Sequence, residues 1–171
     1  MYKRLCPDLR VASIYEIDLE KLWARGIRGV LFDLDNTLIE WDNNRPAPEM
    51  MKWIREVRKR GFQVCLLSNN SVDRVQEIAL RLEVPFFAPA RKPFLRVFRQ
   101  ALESMGLSPE ATAMVGDQMF TDILGGNRLG MYTIWVHPLS SKEFIGTRVT
   151  RLLEKAVLRQ LVAKGLLKSE R

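Results

Sequence analysis

Four aspartates give the first hint of chemistry in this chain. Asp33 and Asp35 stand two apart, and Asp117 is followed five residues later by Asp122. Carboxylates gathered in a dry site repel one another. A hard divalent cation bound by oxygens and water relieves that repulsion, and Mg²⁺ suits the donor set. Side chains two apart on a straight strand point the same way, so a chain that turns between Asp33 and Asp35 would free them for different roles. One carboxylate can attack phosphorus and form a covalent intermediate. Another can protonate the departing alkoxide and later take a proton from water. Ser68 and Lys92 add a hydroxyl and a fixed positive charge, which suits a phosphoryl group whose charge grows in the transition state.

These groups come together only if the elements carrying them are arranged for it. Short apolar runs over 29–33, 62–67, 84–87, 113–116 and 131–136 read as strands. Helical spacing over 48–60, 72–82, 94–105 and within 119–129 fills the intervals. This alternation predicts a parallel sheet with helices on both faces, and such sheets bind ligands beyond the carboxyl ends of their strands. Asp33 to Thr37, Ser68 to Asn70, Arg91 to Pro93 and Gly116 to Asp122 all follow strand ends. They are therefore expected to meet at one edge.

Composition narrows the class. The chain has 171 residues, a net charge of +7 and 47% apolar residues, which fits a single folded domain. No apolar run approaches the roughly 20 residues of a spanning helix, and the first residues lack the apolar stretch of a signal peptide. A cytoplasmic setting is expected. Two cysteines, Cys6 and Cys65, cannot build a disulfide framework or a cysteine zinc site. Neither is followed by an arginine six residues on, as a cysteine phosphatase requires: Ala12 and Ser71 stand there. Residues 31–44 hold four carboxylates and no cation, whereas residues 140–171 carry a net +5.

The motifs also carry a resemblance. Asp33-Leu34-Asp35-Asn36-Thr37 resembles the first motif of the haloacid dehalogenase (HAD) superfamily of phosphatases. Ser68, Lys92 and Gly116-Asp117 with Asp122 resemble its second, third and fourth motifs, in the same order. The resemblance implies a three-layer α/β/α Rossmann-like fold, with Asp33 as nucleophile and Asp35 as general acid/base. It implies Mg²⁺ held by Asp33, the backbone carbonyl of Asp35 and Asp117, with Asp122 nearby or acting through water. Thr37, Ser68, Lys92 and the backbone N–H of Asn69 would bind the phosphoryl oxygens. The 35 residues from Asp33 to Ser68 and the 24 from Ser68 to Lys92 leave no room for a cap domain.

Asp33 to Trp41, Ser68 to Asn70, Ala90 to Pro93, Gly116 to Asp122 and Gly125 to Met131 are similar to the bacterial YqeG-type phosphatases of HAD subfamily IIIA. That group is similar in turn to the mitochondrial phosphatidylglycerophosphatase of cardiolipin synthesis. The resemblance implies removal of the terminal phosphate of phosphatidylglycerophosphate. A soluble phosphatase for a nucleotide, sugar phosphate or polynucleotide end is the alternative, and a basic nucleic-acid or ribosome-binding module with idle catalytic residues is a remote one. Nucleic acid is not the expected partner, because no recognised binding motif is present.

One domain is expected over 1–171: a core of about 27–140, an extension over 1–26 and a basic amphipathic helix of about 147–167. That helix places Val149, Leu152, Leu153, Ala156, Val157 and Leu161 at helical spacing among Arg148, Arg151, Lys155 and Arg159. Such a helix can lie on the inner face of an anionic membrane or pack on the domain. Trp41, Arg91, Asn127 and Arg128 are candidates for substrate contact. Arg45, His137 and Cys65 read as structural or solvated. Asp18 is positioned to cap a short helix through Trp23.

Overall fold

In the computed structural model, which describes residues 2–140 and 145–165, six parallel strands form one sheet. Their order is β1-β6-β5-β2-β3-β4, and every neighbouring pair is parallel. In chain order the elements are β1 (Leu9–Val11), α1 (Leu19–Ala24), β2 (Gly29–Phe32), α2 (Pro48–Lys59), β3 (Gln63–Leu67) and α3 (Val72–Leu82). Then come β4 (Phe86–Phe87), α4 (Leu95–Met105), β5 (Thr112–Gly116), α5 (Leu124–Leu129), β6 (Tyr132–Val136) and α6 (Ile145–Ala163).

The strands are apolar at nearly every position because both faces are covered. Along β2, Val30 and Phe32 join Ile54 and Val57 of α2 and Val75 and Ile78 of α3 in one core. Leu31 faces the other way, with Cys65, Leu67 and Met114, onto Phe98, Ala101 and Leu102 of α4. This period-2 alternation makes three layers. The architecture expected from the sequence is present, and each inter-strand segment holds one helix and no inserted cap domain.

The local signals are also visible. Pro48 opens α2, and buried Met50, Ile54 and Val57 make its inner stripe. The Asp18 carboxylate accepts from the Lys21 N–H at 3.0 Å and caps α1. Gly106 ends α4 in the left-handed region at φ 63°, where a glycine carries no Cβ penalty. At Gly125 and Gly126 an added Cβ would run into Phe98 and into Met114 and Thr133. Gly125 lets α5 lie close to α4, and Gly126 lets it lie close to the sheet.

The amino-terminal segment contributes β1, which the sequence did not suggest. It pairs with β6, Leu9 beside Ile134, and Asp8 clasps the neighbouring strand. Its N–H donates to the Thr133 carbonyl at 2.9 Å, and its carboxylate accepts from the Thr133 N–H at 2.8 Å.

Helix α6 packs only part of the apolar stripe that its spacing suggests. Val157, Leu158 and Leu161 meet Leu5 and Met119, and Glu154 is buried with them. Leu152 and Leu153 stay exposed. The helix ends at Ala163, short of the expected Leu167, in a turn over Lys164 and Gly165, where Gly165 takes φ 67°; Leu166 and Leu167, and the side chains of Arg148, Val149 and Arg151, lie outside the described residues.

Candidate active site

Strand β2 ends at Phe32, and the Asp33 N–H still donates to the Val115 carbonyl at 2.9 Å, holding it beside β5. The chain then turns sharply. Leu38 and Ile39 N–H both return to the Leu34 carbonyl at 3.0 and 3.1 Å, and Asn36 takes φ 60°, which asparagine tolerates better than most residues. The turn separates the two carboxylates: Asp33 is drawn to a lysine and Asp35 to an arginine.

Asp33 Oδ1 lies 2.6 Å from Lys92 Nζ. The same ammonium is 2.7 Å from Asp122 Oδ1; that contact is ionic and lacks hydrogen-bond alignment. The Thr37 hydroxyl sits between Asp33 Oδ2 at 3.2 Å and Asp117 Oδ1 at 3.3 Å. Asp33, Asp117 and Asp122 are all buried, with ligand atoms within 4.8 Å of one another. Burial alone would drive the Lys92 pKa down, but Asp122 and Asp33 outweigh it and hold the ammonium charged. Burial pushes the Asp33 carboxyl up to about 7, opposed by Lys92 and reinforced by Asp122 and Asp35.

Three buried carboxylates around one ammonium leave the cluster short of positive charge. All-oxygen donors at this spacing fit a HAD-type metal site for a hard divalent cation. Two devices build the site. A Cβ at residue 116 would collide with the Asp122 carboxylate, so Gly116 admits it against the end of β5. Residues Met119–Ile123 form one wide π-helical turn, a distortion frequent at functional sites. There the Asp122 carboxylate accepts from the Gln118 N–H at 3.1 Å.

A cavity of about 370 Å³ opens onto this cluster, lined in part by Asp33, Asp35, Ser68, Asn69, Lys92 and Trp41. Trp41 is half exposed at the pocket wall. The Asn69 side chain also acts on the backbone, where its amide accepts from the Lys92 N–H at 2.6 Å and donates to the Lys92 carbonyl at 3.2 Å. It clamps the main chain that presents the lysine. Arg91 is exposed at φ 51° beside Lys92, and Arg128 donates to the Pro93 carbonyl at 3.2 Å; neither lines the cavity. Asn127 is engaged away from the pocket, donating to the Arg4 and Cys6 carbonyls at 2.9 Å each.

Sequence reasoning missed Arg74. Its guanidinium reaches Asp35 Oδ1 from Nη2 at 2.7 Å and from Nε at 3.0 Å. It also donates to the Asn43 and Glu40 carbonyls at 3.0 and 3.3 Å and to the Asn44 side chain. Asn70 Nδ2 holds Asp35 Oδ2 at 3.0 Å, with Ser68 Oγ at 3.5 Å. Trp135 Nε1 donates to the Asp117 carbonyl at 2.7 Å and was also missed. Neither residue belongs to a spacing pattern; each acts across the fold. Cys65 is fully buried and its thiol is pushed up to about 12 by burial, which leaves no thiolate nucleophile there.

Residues 89–141 match the HAD-hydrolase-like family, and residues 1–84 match the mitochondrial PGP (phosphatidylglycerophosphate) phosphatase family. The "Probable phosphatase YqeG" of Bacillus subtilis is 40% identical over 163 residues, covering 95% of each chain. The chain belongs to the YqeG-like HAD phosphatases. This YqeG-like phosphatase is also 33% identical to phosphatidylglycerophosphate phosphatase 1 of Arabidopsis thaliana over 94% of its own length, and spans 49% of that longer protein. Among solved structures, an uncharacterized Listeria monocytogenes protein superposes with a TM-score of 0.57 at 19% identity, over 69% of this chain and 85% of that one. The cobalt-bound deoxy-D-mannose-octulosonate 8-phosphate phosphatase of Haemophilus influenzae gives 0.51 at 19% identity, over 86% and 99%. Both likenesses concern the fold.

Proposed function

We propose that this phosphatase hydrolyses the terminal phosphomonoester of phosphatidylglycerophosphate through an aspartyl-phosphate on Asp33. The observation that carries the phosphomonoester reading is the buried Asp33–Lys92–Asp122 cluster, open to a pocket in which Asp35 approaches from the other side. The lipid is supported by the Arabidopsis relative, similar over nearly the whole of this chain.

In this reading an Asp33 carboxylate oxygen attacks phosphorus, and the bond to the glycerol oxygen breaks. Protonated Asp35 gives its proton to that leaving oxygen. Asp35, now a carboxylate, takes a proton from water as the water oxygen attacks phosphorus. Inorganic phosphate leaves, and Asp33 is restored as a carboxylate. Lys92 stays protonated throughout and meets the charge growing on the phosphoryl oxygens, with Ser68, Thr37 and the Asn69 N–H as further donors. Mg²⁺, held by Asp33, Asp117, the Asp35 carbonyl and, nearby, Asp122, would supply Lewis-acid neutralisation of the phosphoryl group.

The test is phosphate release from phosphatidylglycerophosphate in detergent micelles, set beside soluble nucleotides and sugar phosphates, with and without Mg²⁺. The lipid is expected to be turned over best, and Asp33→Asn to lower kcat by about 10³-fold or more. Preference for a soluble ester would replace the lipid with the alternative substrate class. Activity surviving in Asp33→Asn would remove the covalent mechanism.

A further inference from the structure

Nine large apolar or aromatic side chains are exposed among the described residues, and seven stand at the sheet edge that carries the pocket. Tyr15 follows β1, Trp41 follows β2, Val72 follows β3, Phe94 follows β4 and Leu139 follows β6. Leu152 and Leu153 immediately precede Glu154, whose carboxylate accepts from the Met119 N–H at 2.6 Å, just past the end of β5. Only Trp23 and Leu80 stand elsewhere, on α1 and α3. Single exposed apolar side chains scattered over a surface need no explanation. Their gathering at one edge of the sheet marks a contact surface.

Charge marks one half of that edge. Residues 91–102 contain Arg91, Lys92, Arg96 and Arg99 and no carboxylate. Lys92 is buried in the site, whereas the three arginines are exposed and have no carboxylate partner among the described residues. Arg128 reaches the same loop at Pro93. In their midst Phe94 is 71% exposed, at the N-cap of α4, where its side chain makes no cap hydrogen bond. Glu40, Asp42 and Asp73 belong to the other half, on the segments after β2 and β3.

We infer that this edge is a membrane-docking face, anchored by Phe94 with Arg91, Arg96 and Arg99, that seats the open pocket on an anionic bilayer. The inference rests on the lipid reading given above. Aromatic side chains favour the bilayer interface and arginines favour anionic headgroups. An uncapped pocket pressed against that surface receives a headgroup phosphate without drawing the lipid out of the bilayer. The tail helix is then an accessory: Val157, Leu158 and Leu161 are spent on the core, and only Leu152 and Leu153 extend the rim.

The test uses the full chain and vesicles of phosphatidylcholine alone or mixed with phosphatidylglycerol. Wild type is expected to co-sediment with the mixed vesicles only. Phe94→Ser combined with Arg96→Gln and Arg99→Gln is expected to weaken that binding by about tenfold or more. The same variant keeps wild-type turnover of p-nitrophenyl phosphate, which also certifies its fold. It loses phosphatidylglycerophosphate turnover on vesicles and retains it in detergent micelles. Leu152→Ser with Leu153→Ser gives a smaller loss. Undiminished vesicle binding by the triple variant overturns the docking face, and so does binding of an oligonucleotide by these side chains with no binding to vesicles. Vesicle binding that depends on Phe94, without lipid turnover in micelles, would keep the face and remove the lipid substrate.

Discussion

At the scale of single residues, the catalytic cluster is an electrostatic problem that its own side chains only partly solve. Asp33 has lost its water, and Lys92 is shared with Asp122. The carboxyl of Asp33 therefore holds its proton up to about pH 7, well above the ordinary 3.8. A raised folded-state pKa contributes stability that is complete below about 3.8 and is lost as pH rises towards 7. A divalent cation needs the ionised form, so proton and cation compete for the same oxygen. Saturating Mg²⁺ should raise the melting temperature most above about pH 7 and progressively less below it. The gain should reach about 2.7 kcal/mol when Mg²⁺ is about 100 times its Kd. In Asp33→Asn the gain should be small and flat with pH. Thermal unfolding by circular dichroism across pH reads both, and a pH-independent gain in wild type would place the cation away from Asp33.

At the scale of elements, one guanidinium ties three of them together. Arg74 lies in the first turn of α3, grips Asp35 at the end of β2 and holds the 40–44 loop that carries Trp41. Arg74→Lys keeps the charge but loses the planar fork that serves several acceptors at once. We expect about a tenfold loss in kcat/KM for any phosphomonoester in Arg74→Lys, and Arg74→Gln to be worse, with about 2 kcal/mol lost from stability. Steady-state kinetics and urea unfolding check these. Near-wild-type kinetics in Arg74→Gln would reduce the strap to ornament.

Elements of this size divide sharply in how far they could be read in advance. The strand-end clusters were legible because a parallel sheet sends every strand's carboxyl end to one edge. The turn after Asp33 was legible because two carboxylates two apart had to diverge. Strand β1 was not: three residues with Arg10 in the middle carry no strand pattern. Arg74 was not legible either, since its acceptors lie 30 or more positions upstream. Within α6 the apolar positions Val157 and Leu161 were legible, but the buried Glu154 beside them was not, since glutamate is usually exposed.

At the scale of the whole molecule, the chemistry is suspended between two central strands that are far apart in sequence. Strand β2 pairs on one side with β3 and on the other with β5, Val30 beside Ala113. Asp33 follows one of that second pair and Asp117 follows the other, so docking β5 against β2 is also the step that brings their carboxylates together. Pairing across such a separation is intrinsically slow, because loop closure precedes any reward. This has a consequence for how the chain reaches its native state. Refolding from urea, followed by tryptophan fluorescence, should run a few-fold slower in a chelator than in Mg²⁺, because late assembly of the sheet must push like charges together unaided. Asp122→Asn should narrow that difference. The cation would then serve twice, first as a folding aid and afterwards as part of the working site.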